Sequence, residues 1–321
     1  MTKQEILQEL RKTFRSAEFP SRIDFEIQQN KLNVKMYKTG ILDNMQEDNS
    51  AFEGWILVLM TFFNKDENEI KVVSLSWESP DENEKSGHYH RFLYRVTKFI
   101  QRFLWFKIED SSNNEEIYKF TQKYLSGNAQ LVMNYPKTKA KDVLESANES
   151  YLERRFKTNP QIIKGITFDC QDHQLPVGLF NREVANKNSV FTGGKSGIDL
   201  WGIKGNNLFI FELKFKNKKV GIISETLLYL WIMEDLFINK KINYPYLSEK
   251  KLSKTFRSFK IIYKKANENA GIIKINGVLL ADDFHPLVNE DLISFVNKHF
   301  KTHSLEIMKQ KYSIDSKINL L

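Results

Sequence analysis

Cysteine is nearly absent: Cys170 is the single one in 321 residues, so no internal disulfide can form and the usage fits a reducing cytosol. Long apolar runs are absent too. The longest, Trp55 to Phe63, is too short to cross a bilayer. The opening MTKQEILQEL reads as the start of an amphipathic helix and lacks the apolar centre of a signal peptide. A soluble, cytoplasmic protein with no membrane association is expected. No internal repeat and no low-complexity tract interrupts the chain. What is present is an apolar and aromatic content suited to a packed core rather than a disordered chain. The net charge of +8 leans toward a polyanionic partner. The length suggests two domains.

Pattern reading places a helix over residues 3–17 and strand-like alternation over 22–38, carried by Ile23, Phe25 and Ile27, then Leu32, Val34 and Met36. Residues 54–63 and 70–77 read as a strand pair joined by a polar segment. A helix follows from His88 to about Phe106, with Phe92, Val96, Phe99 and Phe103 on one stripe and Arg91, Arg95, Lys98 and Arg102 beside it. Two roles fit that basic stripe: contact with phosphates, or the solvated back of a core helix. Tyr135-Pro136 marks a boundary, giving an α+β domain over 1–135 and a second domain over 136–321. The second half alternates helix and strand. A helix runs to about Lys157, strands occupy 161–170, 197–203, 207–215 and 272–281, and helices occupy 219–238 and 287–299. Residues 171–196 read as irregular. Residues 240–265 hold nine Lys or Arg against Glu249 alone, and could track a nucleic-acid backbone with Tyr244, Tyr246 and Phe256 available for stacking.

The chemistry concentrates in residues 193–221. From Asn207 to Phe215 nearly every position is aliphatic or aromatic, which suits a strand covered on both faces. Glu212 and Lys214 interrupt that run. A side-chain period of two puts them on one face, with Leu208 and Ile210. Buried charges cost several kcal/mol, roughly, unless paired or metal-bound. The preceding strand is joined by Gly205-Asn206, a favoured two-residue hairpin turn. With Lys204 facing Asn207, counting back sets Asp199 across from Glu212. Two facing carboxylates repel. A divalent cation reverses the sign of that interaction, and hard oxygen ligands suit Mg²⁺ or Mn²⁺. The plainer alternative is a Glu212–Lys214 ion pair near a strand end, with Asp199 exposed.

Asp199 followed by Glu212-Leu213-Lys214, on adjoining strands leading into a helix, resembles the PD-(D/E)XK nuclease superfamily. The likeness covers about residues 140–285. Ile198 stands where the name-giving proline would be. The resemblance implies a restriction-endonuclease-like core within an α/β domain, a mixed central sheet flanked by helices. It implies that Asp199, Glu212 and Leu213, the residue between Glu212 and Lys214, surround a Mg²⁺ or Mn²⁺ ion while Lys214 assists the attacking water. It also directs attention to an acid on the preceding helix, where Glu149 shares a stripe with Leu152 and Phe156 and Glu153 stands second. On the following helix Glu225 shares a stripe with Leu228, Tyr229, Ile232 and Leu236 and would support Lys214 or the water.

Lys195 lies in a Gly193-Gly194-Lys195-Ser196-Gly197 run. That run leads into a strand, whereas a P-loop must lead into a helix. A P-loop is therefore rejected, and Lys195 is retained as a contact for substrate phosphate. His88 and His90, two apart, do not share a helix face. Asp282, Asp283 and His285 follow a strand and read as turn residues. Cys170 has no evident His partner and is read as buried. The function expected is metal-dependent hydrolysis of DNA phosphodiesters. Two alternatives stand: a binding or assembly module that keeps the fold without chemistry, and the same chemistry on RNA. The N-terminal domain's role is left open among specificity, homodimer formation and contact with a protein partner.

Overall fold

Alternation and capping shape the N-terminal elements of the computed structural model. It describes residues 1–321 apart from 46, 65–69, 86, 128, 135–147, 160–161, 193–195, 245–256, 268–270, 301–303 and 315–317. α1 (Lys3–Thr13) begins with a capping box between Thr2 and Glu5. β1 (Ile23–Gln28) and β2 (Lys31–Met36) pair antiparallel, with the expected alternate residues buried. A short α2 (Lys38–Ile41) follows.

The stretch expected as a strand at 54–63 is instead α3 (Phe52–Phe63), with every residue from Phe52 to Met60 buried. A run that is apolar at every position carries no period, so it suits a helix buried all round as well as a buried strand. β3 (Val72–Trp77) then joins β2 in parallel, and β4 (Phe106–Lys107) joins β3. Between them α4 (His88–Arg102) ends sooner than expected. Most of its basic stripe is neither solvated nor open to phosphates: Arg91, Arg95 and Lys98 are buried and Arg102 is half-buried. The Arg95 guanidinium forks onto Glu53, with Nε 2.6 Å from Oε1. α5 (Ser111–Tyr124), which pattern reading passed over, packs on α4 and starts at an Asp110 cap.

Two compact units divide the chain. The first holds Met1–Asn128 with Lys219–Glu225 and Phe284–His299. The second holds Ala129–Lys218, Thr226–Asp283 and Phe300–Leu321.

The second unit contains β5 (Leu131–Met133), α6 (Glu149–Thr158), β6 (Cys170–Pro176), β7 (Leu179–Asn181), β8 (Gly197–Lys204) and β9 (Asn207–Lys214). The later part of α7 (Gly221–Phe237) follows, then β10 (Ile242–Asn243), α8 (Arg257–Asn267) and β11 (Lys274–Ala281). After α9 (Glu290–Phe300), most of which belongs to the first unit, come β12 (Leu305–Ile314) and β13 (Ile318–Leu320). The six-stranded sheet has the order β13-β12-β11-β9-β8-β6. β6, β8 and β9 form an antiparallel meander, while β11 runs parallel to β9 and β12 parallel to β11. A smaller sheet has the order β10-β5-β7.

The first strand of the meander thus lies at 170–176, not 161–170. Ile162 and Ile163 enter the core from a turn at Gly165, whose φ is +81°. β6 is an edge strand of polar composition, so it shows no apolar alternation. Helices flank the sheet. Leu152 and Phe156 of α6 pack with Phe209, Phe211, Leu213, Val278 and Leu280, the odd face of β9 and even face of β11. Gly277, which pairs with Ile210, lies against Thr226 and Leu230 of α7, and a Cβ there would come within 2.7 Å of Thr226 Cγ2. The protein is a mixed α/β fold with mixed sheets flanked by helices. No helix among the described residues is long and apolar enough to cross a membrane.

Candidate active site

The hairpin between β8 and β9 sets the register of the site. Gly205 has φ +59°, the positive value a two-residue turn needs at its first central position. Pairing runs from Lys204↔Asn207 back to Leu200↔Phe211. The next facing residues are Asp199 and Glu212. There the ladder stops, and the Leu213 amide donates instead to Asp199 Oδ2 at 2.9 Å. The ladder on the β6 side opens at the same place. His173 pairs with Leu200 and Leu175 with Ile198, leaving Gln174 opposite Asp199. Gln174 has φ +53°, a left-handed conformation that costs a side-chain-bearing residue about 1–2 kcal/mol. Asp199 therefore sits at a gap in the pairing on both sides.

Glu212 and Lys214 are buried, at 2% and 5% exposure, on the face of β9 that carries Ile210. Lys214 Nζ donates to Glu212 Oε1 at 2.5 Å. Glu212 Oε2 is buried and has no hydrogen-bond partner. One carboxylate oxygen thus accepts from the ammonium and the other is left without a donor.

A third carboxylate reaches this group. Glu153 on α6 is buried, and Gln174 Nε2 donates to its Oε2 at 2.8 Å. Burial pushes the Asp199 carboxyl well above its ordinary range, and the Glu212 and Glu153 carboxylates push it further. The Lys214 ammonium and the Leu213 amide oppose that rise. Burial likewise raises Glu153, with Glu212 and Glu149 adding to the effect and Gln174 and His173 opposing it. Asp199 is thus acted on by both other carboxylates and Glu153 by Glu212, a crowding of like charge that bound positive charge would relieve.

The expected residues distribute unevenly. Asp199, Glu212 and Lys214 come together. Leu213 turns its side chain into the core and gives its amide to Asp199, so it positions that carboxylate. Glu149, ranked first on α6, is half-buried and accepts from the Phe215 amide at 3.3 Å. Glu153, ranked second, is the one coupled to Asp199 and Glu212. Both acids lie on the same stripe of α6. Glu149 sits in the first turn and Glu153 one turn deeper, a difference that depends on where the sheet meets the helix. Glu225 is buried on α7, as its stripe implied, in the segment that belongs to the first unit. Lys195 lies outside the described residues, as do Tyr246 and Phe256. Tyr244 is not available for stacking: it is buried, its ring 4.8 Å from that of Phe259. Cys170 is half-buried rather than buried. Gln174 was not foreseen. Its signal was the polar strand Cys170-Gln171-Asp172-His173-Gln174.

No group of three or more His, Cys, Asp or Glu side chains is arranged to hold a metal ion among the described residues. Asp199 and Glu212 form a pair, the number that Mg²⁺ uses when it keeps several waters. The donors are carboxylate oxygens only, which fits a hard cation. The bare Glu212 Oε2 is the atom such an ion would satisfy. No family model, curated protein or solved structure matches the chain.

Proposed function

We propose that the chain is a metal-dependent nuclease that hydrolyses DNA phosphodiester bonds at Asp199, Glu212 and Lys214. The observation that carries this is the buried Glu212 carboxylate. Lys214 donates to one oxygen and the other has no hydrogen-bond partner, while the Asp199 and Glu153 carboxyls crowd the same place and resist ionisation there. Such an arrangement is unfavourable as a structural element, because a buried acceptor left without a hydrogen bond costs about 1–3 kcal/mol and crowded carboxylates repel one another. It is favourable around a divalent cation. Asp199 and Glu212 would hold Mg²⁺ or Mn²⁺. When bound, such an ion acidifies a water nucleophile and neutralises charge on a phosphoryl oxygen.

The chain's own residues supply the rest. The Leu213 amide fixes Asp199, and Gln174 fixes Glu153. Lys214, held beside Glu212, orients the attacking water and stabilises the negative charge that develops on the phosphoryl group. The order α6, β6-β8-β9, α7, β11, with a helix on each face of the sheet, supports a restriction-endonuclease-like core as part of this proposal.

The test compares plasmid, single-stranded DNA and RNA as substrates with Mg²⁺ or Mn²⁺. Lys214→Ala is expected to abolish cleavage while far-ultraviolet dichroism in Mn²⁺ stays that of the wild type. A variant that cuts as fast as the wild type would overturn the assignment of Lys214. Exclusive cleavage of RNA would replace DNA as the substrate.

A further inference from the structure

The chain leaving β9 is tied down at successive residues. Tyr312 Oη donates to the Lys214 carbonyl at 2.8 Å. The Phe215 amide donates to Glu149, and the Lys216 amide donates to Asp282 Oδ1 at 3.0 Å. Lys216 itself is left-handed, with φ +54°. Lys218 then pairs with Asp283. Non-glycine left-handed backbone persists only where its surroundings over-determine it. These four contacts do so, and they present a short basic segment in one defined conformation.

That segment lies at the carboxyl ends of three parallel strands. Lys214 of β9 pairs with Ala281 of β11, and Ala281 pairs with Lys311 of β12. In open α/β sheets this is the edge where ligands bind. Lys216 is exposed, and the Lys218 and Lys311 side chains are 57% and 47% exposed. Lys218 and Lys311 share one carboxylate, Asp283, with Lys311 Nζ at 2.6 Å. Asp282, which holds the Lys216 amide, is a second anion here, so three lysines stand against two aspartates and leave one net positive charge. The structure thus sets Lys216, Lys218 and Lys311 beside the buried Lys214–Glu212 pair, on ordered backbone.

We infer that Lys216, Lys218 and Lys311 form a shelf for the DNA backbone, contacting phosphates next to the one that is cut. The placement of the cut phosphate rests on the nuclease reading above; the shelf itself rests on the basic, anchored edge. A backbone with a negative charge on every nucleotide matches a row of lysines that a lone anion would not fill. Asp283 holds two of these lysines apart from the ligand until phosphate replaces it.

The experiment measures binding of a fluorescent DNA duplex by anisotropy across a salt series, without divalent metal, so that cleavage plays no part. The triple variant Lys216→Gln, Lys218→Gln, Lys311→Gln is expected to bind at least about tenfold more weakly. Its slope of log affinity against log salt should fall by about two to three. Lys216→Gln alone, which leaves the Asp283 pairs intact, should lower the slope by about one. Asp283→Asn should bind more tightly, because it removes the carboxylate that competes for Lys218 and Lys311. Unchanged affinity and slope in the triple variant, or weaker binding by Asp283→Asn, would overturn the shelf. The two ideas fail separately. If Lys214→Ala still cuts DNA but the triple variant loses affinity, the shelf stands and the catalytic assignment does not.

Discussion

Asp199 is held where burial and the Glu212 charge both oppose its ionisation. A carboxyl raised in the folded state binds its proton more tightly there than in the unfolded chain. Stability is then lost as pH rises from the ordinary aspartate value of 3.8 through the raised one. Above that window the metal-free protein carries the full penalty. Asp199→Asn removes the charge and keeps an oxygen for the Leu213 amide. Its thermal midpoint without metal should exceed that of the wild type at about pH 8, and the gain should shrink toward about pH 4. A midpoint that is lower at every pH would mean that the carboxylate stabilises the fold. Lys214 presents the opposite case. Lys214→Ala strips Glu212 of its ammonium, and breaking a buried pair costs about 3–5 kcal/mol. The metal-free variant should melt well below the wild type, and Mn²⁺ should recover much of the loss, as scanning calorimetry would show.

At the scale of elements, what was legible depended on how local the cause was. The β8–β9 register was readable because Gly205-Asn206 determines it within a few residues, and the observed pairing has the expected offset. The helix at 52–63 was not readable, because an unbroken apolar run has no period with which to choose between helix and strand. β6 was missed for the converse reason, since an edge strand rich in polar residues has no apolar alternation. The Asp199, Glu212 and Lys214 positions followed from the register alone. Glu153 and Gln174 did not, because they reach the site through the packing of α6 and a left-handed residue on β6. Tertiary packing also assigns Gly277 its role. A methyl there would press on Thr226 and Leu230, pushing α7 from the face of β9 that bears Glu212 and Lys214. Gly277→Ala should cost about 1–3 kcal/mol by urea titration. A variant as stable as the wild type would mean that α7 yields without cost.

For the whole molecule, the number of basic residues conceals where the charge acts. The net charge is +8, yet three basic side chains of α4 are buried and serve the fold. Basic composition alone therefore does not locate a nucleic-acid surface; the proposed shelf rests instead on the exposure of Lys216, Lys218 and Lys311 and on the contacts that anchor their backbone. The carboxylates work in the other direction, gathering negative charge in a largely buried site of a basic protein. Under the proposed function, folding and cation binding are linked through them. An ion that binds only the native state stabilises it by about 2.7 kcal/mol when present at a hundred times its dissociation constant. Binding requires Asp199 to lose its proton, and burial with Glu212 makes that loss harder at low pH. Mn²⁺ should therefore raise the melting temperature more at about pH 8 than at about pH 5, and its binding at intermediate pH should release protons. Calorimetric titration in two buffers of different ionisation enthalpy would count those protons. Equal stabilisation at both pH values, with no proton release, would mean that the cation does not bind at Asp199. Glu212→Gln separates the remaining case, since it removes the carboxylate whose Oε2 has no hydrogen-bond partner and should abolish the Mn²⁺-dependent shift wherever the pair is the site.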